Sequence, residues 1–208
     1  MVRNVIYIAT SVLLFFSGVI LYGVILNIRE VTLDEALKEN KLQAINNPSI
    51  IIDRKNYSLN LFSDSLKIKS YKVVFGSNSG AEKLSKNDFI TPNGKYKICS
   101  IDTDLKYYKK LKLNYPNTQD AVRGLRNNII SKIEYTTILN SLEHNKCSYS
   151  YTKLGANISV HGIGKYNFIF KNLPFVFNWT NGSIAMSNEN IDELINILPI
   201  GTTIVIKN

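Results

Sequence analysis

The chain has little of what builds metal and redox sites. Its 208 residues include two cysteines, two histidines and one tryptophan. Cys99, Cys147, His144 and His161 fit no zinc-ligand spacing, so no metal is expected, and no cofactor motif is present. The two cysteines leave two readings open: a disulfide, which an oxidising compartment would allow, or two unrelated buried thiols, which is the expectation here. There are no internal repeats and no low-complexity tract, so a solenoid or a disordered linker protein is excluded. There is no nucleic-acid-binding motif, and the lysines are scattered, so no nucleic-acid partner is expected. Charge is missing altogether between Asn4 and Ile28. No small-x-small cleavage site follows, since the chain continues Asn27-Ile28-Arg29-Glu30.

That uncharged run reads as an uncleaved signal anchor. At 1.5 Å per residue it spans roughly 36 Å as a helix, enough to cross a hydrocarbon core of about 30 Å. Tyr7 and Tyr22 stand towards its ends, where amphipathic rings sit at the interface. Arg3 precedes it, and Arg29, Lys38 and Lys41 follow, so flanking charge gives little direction. Beyond the run, a hydrophobic fraction of 45% supports a packed core, and twelve Tyr with nine Phe suggest a strand-rich domain. The net charge of +9 gives a solvated basic surface that favours anionic partners such as wall polymer or phospholipid headgroups.

The expected organisation is an anchor over 1–28, a juxtamembrane spacer over 29–48 and one domain over 49–208. Thr32-Leu33-Asp34-Glu35 has capping-box spacing, opening a short helix with Leu33, Ala36, Leu37 and Leu42 on one face and Asn46-Asn47-Pro48 as its stop. Ser49–Asp53, Ser58–Phe62 and Ile68–Phe75 read as a strand meander, and 76–87 as a loop. Thr91-Pro92-Asn93-Gly94 is a turn before the strand Lys95–Cys99. Residues 107–115 form a basic, aromatic stretch. Apolar spacing over 129–142 predicts an inserted helix, with His144 at its end. Ile158–Val160 is a strand that delivers His161. Ser187 opens a helix running to Leu198, and Thr202–Lys207 is a last strand. Tyr166, Phe168, Phe170, Phe175 and Phe177 surround the long loop before Thr180 and are expected to pack as core or lid rather than to form a sugar- or peptide-binding platform.

The chemistry concentrates in His161-Gly162 and Thr180-Asn181-Gly182-Ser183. A histidine at a strand end is held rigidly and can exchange a proton with a neighbouring nucleophile. Gly182 lets a substrate backbone approach the residue after it. Backbone N–H groups near Gly182 and Ser183 can form an oxyanion hole. His161, Ser183, Gly182 and Thr180 are therefore the candidate catalytic residues, with Gly162, Trp179 and Asn181 as candidate substrate contacts.

Three segments in one order carry a family resemblance: Thr91-Pro92-Asn93-Gly94-Lys95-Tyr96-Lys97-Ile98, Ile158-Ser159-Val160-His161-Gly162, and Trp179-Thr180-Asn181-Gly182-Ser183-Ile184-Ala185-Met186-Ser187-Asn188. The chain resembles the L,D-transpeptidase (YkuD-type) catalytic domain across roughly Ile50 to Ile206. The resemblance implies a mostly β domain with a few helices, preceded by the single transmembrane helix. It implies a single-pass protein of the cytoplasmic (inner) membrane, with the domain on the periplasmic or wall side. It implies acyl transfer from peptidoglycan stem peptides to an amine of another stem or of a wall-bound protein. By position His161 is the base, Gly182 belongs to the oxyanion region and Ser183 stands where the family has its catalytic cysteine.

The serine matters because a thiol has a pKa near 8.5 whereas a hydroxyl is far weaker; about five units at 1.36 kcal/mol each adds about 7 kcal/mol to ionisation. Three readings follow: an introduced knockout of the nucleophile, a non-catalytic peptidoglycan-binding or regulatory relative, or a working serine. An amide hydrolase acting on wall-bound peptides would use the same site with water as acceptor. Ala185, where many relatives have arginine, removes one carboxylate-recognising group.

Overall fold

The computed structural model describes residues 2–27, 30–144, 146–147, 152–173 and 175–208. Ile28 and Arg29, at the expected end of the anchor, lie outside the described residues.

Helix α1 (Val2–Asn27) is long and apolar enough to cross a membrane. Its side chains, Leu13, Phe15 and Leu21 among them, stay exposed, unlike those of a soluble core helix. Helix α2 (Leu33–Glu39) begins at the predicted capping box: Glu35 N–H donates to Thr32 Oγ1 at 3.3 Å, and Thr32 N–H donates to Glu35 Oε2 at 2.8 Å. It packs directly on the domain, with Leu33 and Ala36 inside the main core.

Eight strands form the sheet: β1 (Pro48–Asp53), β2 (Ser58–Ser63), β3 (Leu66–Lys72), β4 (Gly94–Asp104), β5 (Tyr108–Leu113), β6 (Ser159–Gly162), β7 (Ile184–Met186) and β8 (Thr203–Lys207), in the order β3-β2-β1-β8-β4-β5-β6-β7. Pairing is antiparallel except for β1 with β8 and β6 with β7. The expected mostly β domain is present. Alternation in β1 and β2 sends Ile50, Ile52, Leu59 and Leu61 inward to meet Tyr96, Leu111, Leu113, Ile204 and Ile206. Helix α6 (Asn188–Ile197) covers β5 and β6 through Ile191 and Leu194, and Ser187 Oγ caps it by accepting from Asn190 N–H at 3.2 Å.

Strand β5 was hidden in the basic, aromatic stretch: Leu111 and Leu113 are buried and Lys112 between them is half-buried, an alternation that the run of lysines masks. Between β5 and β6 sit two helices, α3 (Thr118–Arg126) and α4 (Lys132–Glu143), with Ala121, Ile130, Ile138 and Leu154 as a small core of their own. The sequence pattern reveals α4 but not α3. Only Ala121 and Gly124 of α3 are buried among its apolar positions, so its signal is the Asn117-Asp120 capping box. His144 is the exposed C-cap of α4, as expected, its Nδ1 2.7 Å from Asn140 O.

The cysteines correct the expectation of separate thiols. Cys99 and Cys147 form a disulfide across 48 residues, with Cα atoms 5.2 Å apart. The ladder between β4 and β5 pairs Ile98 with Leu113 and then Ser100 with Lys112, leaving Cys99 as the extra residue of a bulge. A bulge turns its residue out of the ladder, and here that residue ties the end of the helical insertion to β4.

Candidate active site

Parallel strands need a crossover, and residues 163–183 provide it between β6 and β7. It contains a 3₁₀ turn (Gly164–Tyr166) and α5 (Asn167–Lys171). The register sets Val160 beside Ile184 and His161 beside Ala185. Ser159 N–H donates to Ser183 Oγ at 3.2 Å, so Ser183 lies next to Ser159, one pleat from His161 on the same face of β6. His161 and Ser183, far apart in sequence, are therefore brought to the same strand pair, His161 on β6 and Ser183 immediately before β7.

His161 is 2% exposed, and its Nδ1 lies 2.8 Å from Gly162 O. A carbonyl can only accept, so Nδ1 carries the proton and Nε2 the lone pair. The group that orients the imidazole is thus a main-chain carbonyl. The imidazole sits in a three-ring cluster with Tyr107 at 4.4 Å between centroids and Trp179 at 5.8 Å, edge-on, and those two rings lie 6.3 Å from each other. Tyr107, in the turn after β4, was not singled out by sequence; its only signal was membership of an aromatic stretch.

The turn before Ser183 is fixed by Thr180. Its buried hydroxyl donates to Ser183 O at 2.6 Å and accepts from Gly182 N–H at 3.3 Å. Thr180 N–H donates to Phe75 O, and Ser77 N–H to Thr180 O. Gly76 N–H in turn donates to Thr91 Oγ1 at 2.9 Å, which gives the Thr91-Pro92 segment a structural role behind the site. Gly182 has φ +108°, and a Cβ there would lie 2.7 Å from Ile90 O. Both features demand glycine. Gly182→Ala is expected to cost about 2 kcal/mol, read as a lower urea midpoint.

The loop that presents Ile90 O is organised by Asp88, whose carboxylate accepts from the N–H groups of Leu84, Ser85 and Ile90 and pairs with Lys83 Nζ at 2.6 Å. Burial pushes the Asp88 carboxyl up, but Lys83 and those N–H groups outweigh it and hold it below the usual range. A depressed carboxylate stabilises the fold above its ordinary pKa, and that stabilisation is lost as pH falls through the folded value. Asp88→Asn leaves the buried Lys83 ammonium unpaired, at a cost of about 3 kcal/mol near neutral pH. Urea unfolding followed from pH 7 to pH 3 should show the variant losing less stability on acidification than the parent.

Asn188 secures the far side. Its Oδ1 accepts from Gly164 N–H at 2.9 Å and its Nδ2 donates to Gly164 O at 3.1 Å. Gly162 is buried, and a Cβ there would meet Asn188 Oδ1 at 2.7 Å, so its lack of a side chain serves close packing beside His161. Asn181 is exposed next to Gly182. Of the aromatics expected to pack as core or lid, Tyr166, Phe168, Phe175 and Phe177 are exposed and so lie outside the core, and Phe170 is half-buried against Trp179, 5.8 Å between ring centroids. Their run lies on a crossover with no strand or helix face long enough to bury it.

The sequence model of the YkuD L,D-transpeptidase catalytic domain matches residues 47–206. Among solved structures, the helical cell shape determining protein Pgp2 from Campylobacter jejuni is similar at 17% identity and TM-score 0.50, over 85% of this chain and 55% of that one. Bd1075 from Bdellovibrio bacteriovorus is 20% identical with TM-score 0.49, over 78% and 48% respectively. An L,D-transpeptidase from Mycobacterium smegmatis is 10% identical with TM-score 0.46, over 78% and 59%. This chain therefore spans 48% to 59% of the length of those three structures, and at such identities the likeness is one of fold. No curated protein sequence matches. The family match reaches from β1 to β8 and takes in both His161 and Ser183, and the chain belongs to the L,D-transpeptidase catalytic-domain family.

Proposed function

We propose that this protein is a membrane-anchored envelope protein that acts on peptidoglycan stem peptides by acyl transfer, at a rate lowered by Ser183. The observation that carries the reading is the Nδ1–H bond from His161 to Gly162 O, which leaves Nε2 as base on the strand paired with that of Ser183. Nε2 takes the Ser183 Oγ proton as Oγ adds to the carbonyl carbon of the third stem residue. The Ser183 amide, beside Gly182, faces the oxyanion. Collapse breaks the C–N bond, and the imidazolium proton passes to the leaving amine. An acceptor amine then attacks the ester, its proton goes to Nε2, and Oγ recovers a proton as it leaves. Trp179 and Asn181 flank the turn as substrate contacts. The Cys99–Cys147 disulfide supports a domain outside the reducing cytoplasm.

The test is to incubate the full chain and its His161→Ala variant with tetrapeptide muropeptides and an amine acceptor, and to follow products by mass spectrometry. Slow amine exchange that disappears in His161→Ala is expected. Hydrolysed stems without amine adducts would replace transfer by amide hydrolysis. Binding to wall sacculi with no turnover would make the domain a peptidoglycan-binding or regulatory module.

A further inference from the structure

The crossover between β6 and β7 carries a run of exposed apolar side chains. Tyr166, Phe168, Phe175, Val176 and Phe177 are 51% to 62% exposed, and Ile169 is 45% exposed. Soluble surfaces scatter such residues singly, and a run of them marks an interaction surface.

The same segment is clasped to the end of α1. Asn27 Nδ2 donates to Lys171 O at 2.6 Å and to Asn172 Oδ1 at 2.7 Å. Gly23 is buried, and a Cβ on it would lie 1.6 Å from Asn172 O, so the backbones touch there. Leu26 of α1 and Phe170, Phe175, Phe177 and Trp179 of the crossover also line one cavity of about 350 Å³.

We propose that residues 166–173 and 175–177 form a second membrane contact, an aromatic wedge seated in the interfacial layer of the bilayer that α1 spans. The proposal rests on reading α1 as a membrane span. Depth supplies the argument. Gly23 stands three residues before Leu26, the last apolar residue of the described helix, which is about 5 Å inside the end of the apolar run. A segment touching Gly23 is therefore held at the boundary between headgroups and acyl chains. At that depth tyrosine and phenylalanine rings are favourable, because their apolar bodies leave water without needing to cross the core. Lys165, its Nζ 4.7 Å from the centroid of the Tyr166 ring, stands where an ammonium can reach lipid phosphates. A protein partner on this face would have to share the space with the lipid around α1.

The full chain is reconstituted in two sets of phosphatidylglycerol–phosphatidylethanolamine vesicles, one with acyl chains brominated near the glycerol end and one with acyl chains brominated near the terminal methyl. Tryptophan emission is compared among the parent (Trp179 alone), Phe175→Trp and Phe15→Trp. The added emission of Phe175→Trp is expected to be at least halved by the lipid brominated near the glycerol end, and that of Phe15→Trp to be quenched by the lipid brominated near the terminal methyl. Quenching of Phe15→Trp with none at Phe175→Trp overturns the wedge and leaves the anchor standing. Quenching at neither position removes the membrane span and the wedge together.

Discussion

Ser183→Cys is expected to raise the rate of stem-peptide acylation at least about 10³-fold. The ionisation difference of about 7 kcal/mol corresponds to about 10⁵ in rate, and concerted proton transfer to a histidine returns roughly 10² of it to a serine. The substitution changes one atom at a position whose surroundings are set by main-chain contacts. Thr180 Oγ1 holds the Ser183 carbonyl, Gly182 fixes the turn, and Ser159 N–H donates to the Ser183 side chain. A thiolate would accept that same N–H, and an N–H donor favours the charged form. The measurement is the mass of a covalent adduct with tetrapeptide muropeptide, trapped in a time series. Adding His161→Ala to Ser183→Cys should remove most of the gain. Equal rates for the serine and cysteine forms would sink the idea that Ser183 limits the chemistry.

The second large effect is on stability. The double replacement Cys99→Ser with Cys147→Ser opens a loop of 48 residues. By chain entropy this removes about 4 kcal/mol, which for a protein of this size lowers the melting temperature by about 10 °C. The loss should concentrate in the insertion. The core of α3 and α4 consists of Ala121, Ile130, Ile138 and Leu154, too small a set to hold two helices without the staple. Reducing agent on the parent should reproduce the shift, and thermal melts in detergent would read both. Unchanged melting in the double variant would mean that the insertion's packing alone fixes it.

Sequence made the ends of elements legible wherever one residue type has one local use. Thr32 with Glu35 and Ser187 before α6 are examples, because a cap is a local hydrogen bond. The meander β1–β3 was legible as a short apolar run, an alternating strand and a third candidate in close succession. What stayed hidden depends on distant partners. Three-residue β7 has no periodicity to show, and it is a strand only because Val160, His161 and Gly162 pair with it. The site divides the same way. His161 and the Thr180–Ser183 turn are contiguous motifs, whereas Tyr107 reaches the imidazole from the turn that leads into β5. The disulfide was misjudged because its feasibility lies in the bulge at Cys99, which spacing along the chain does not encode.

The clasp at Asn27 and Gly23 also sets the protein's working height. A free linker over residues 28–47 would let the domain roam about 25 Å from its anchor. With α2 packed into the core and Asn172 against α1, that freedom is gone. On the proposed reading of α1 as a membrane span and of peptidoglycan as substrate, the site would stand at one altitude above the bilayer and serve only the layer of wall nearest the membrane.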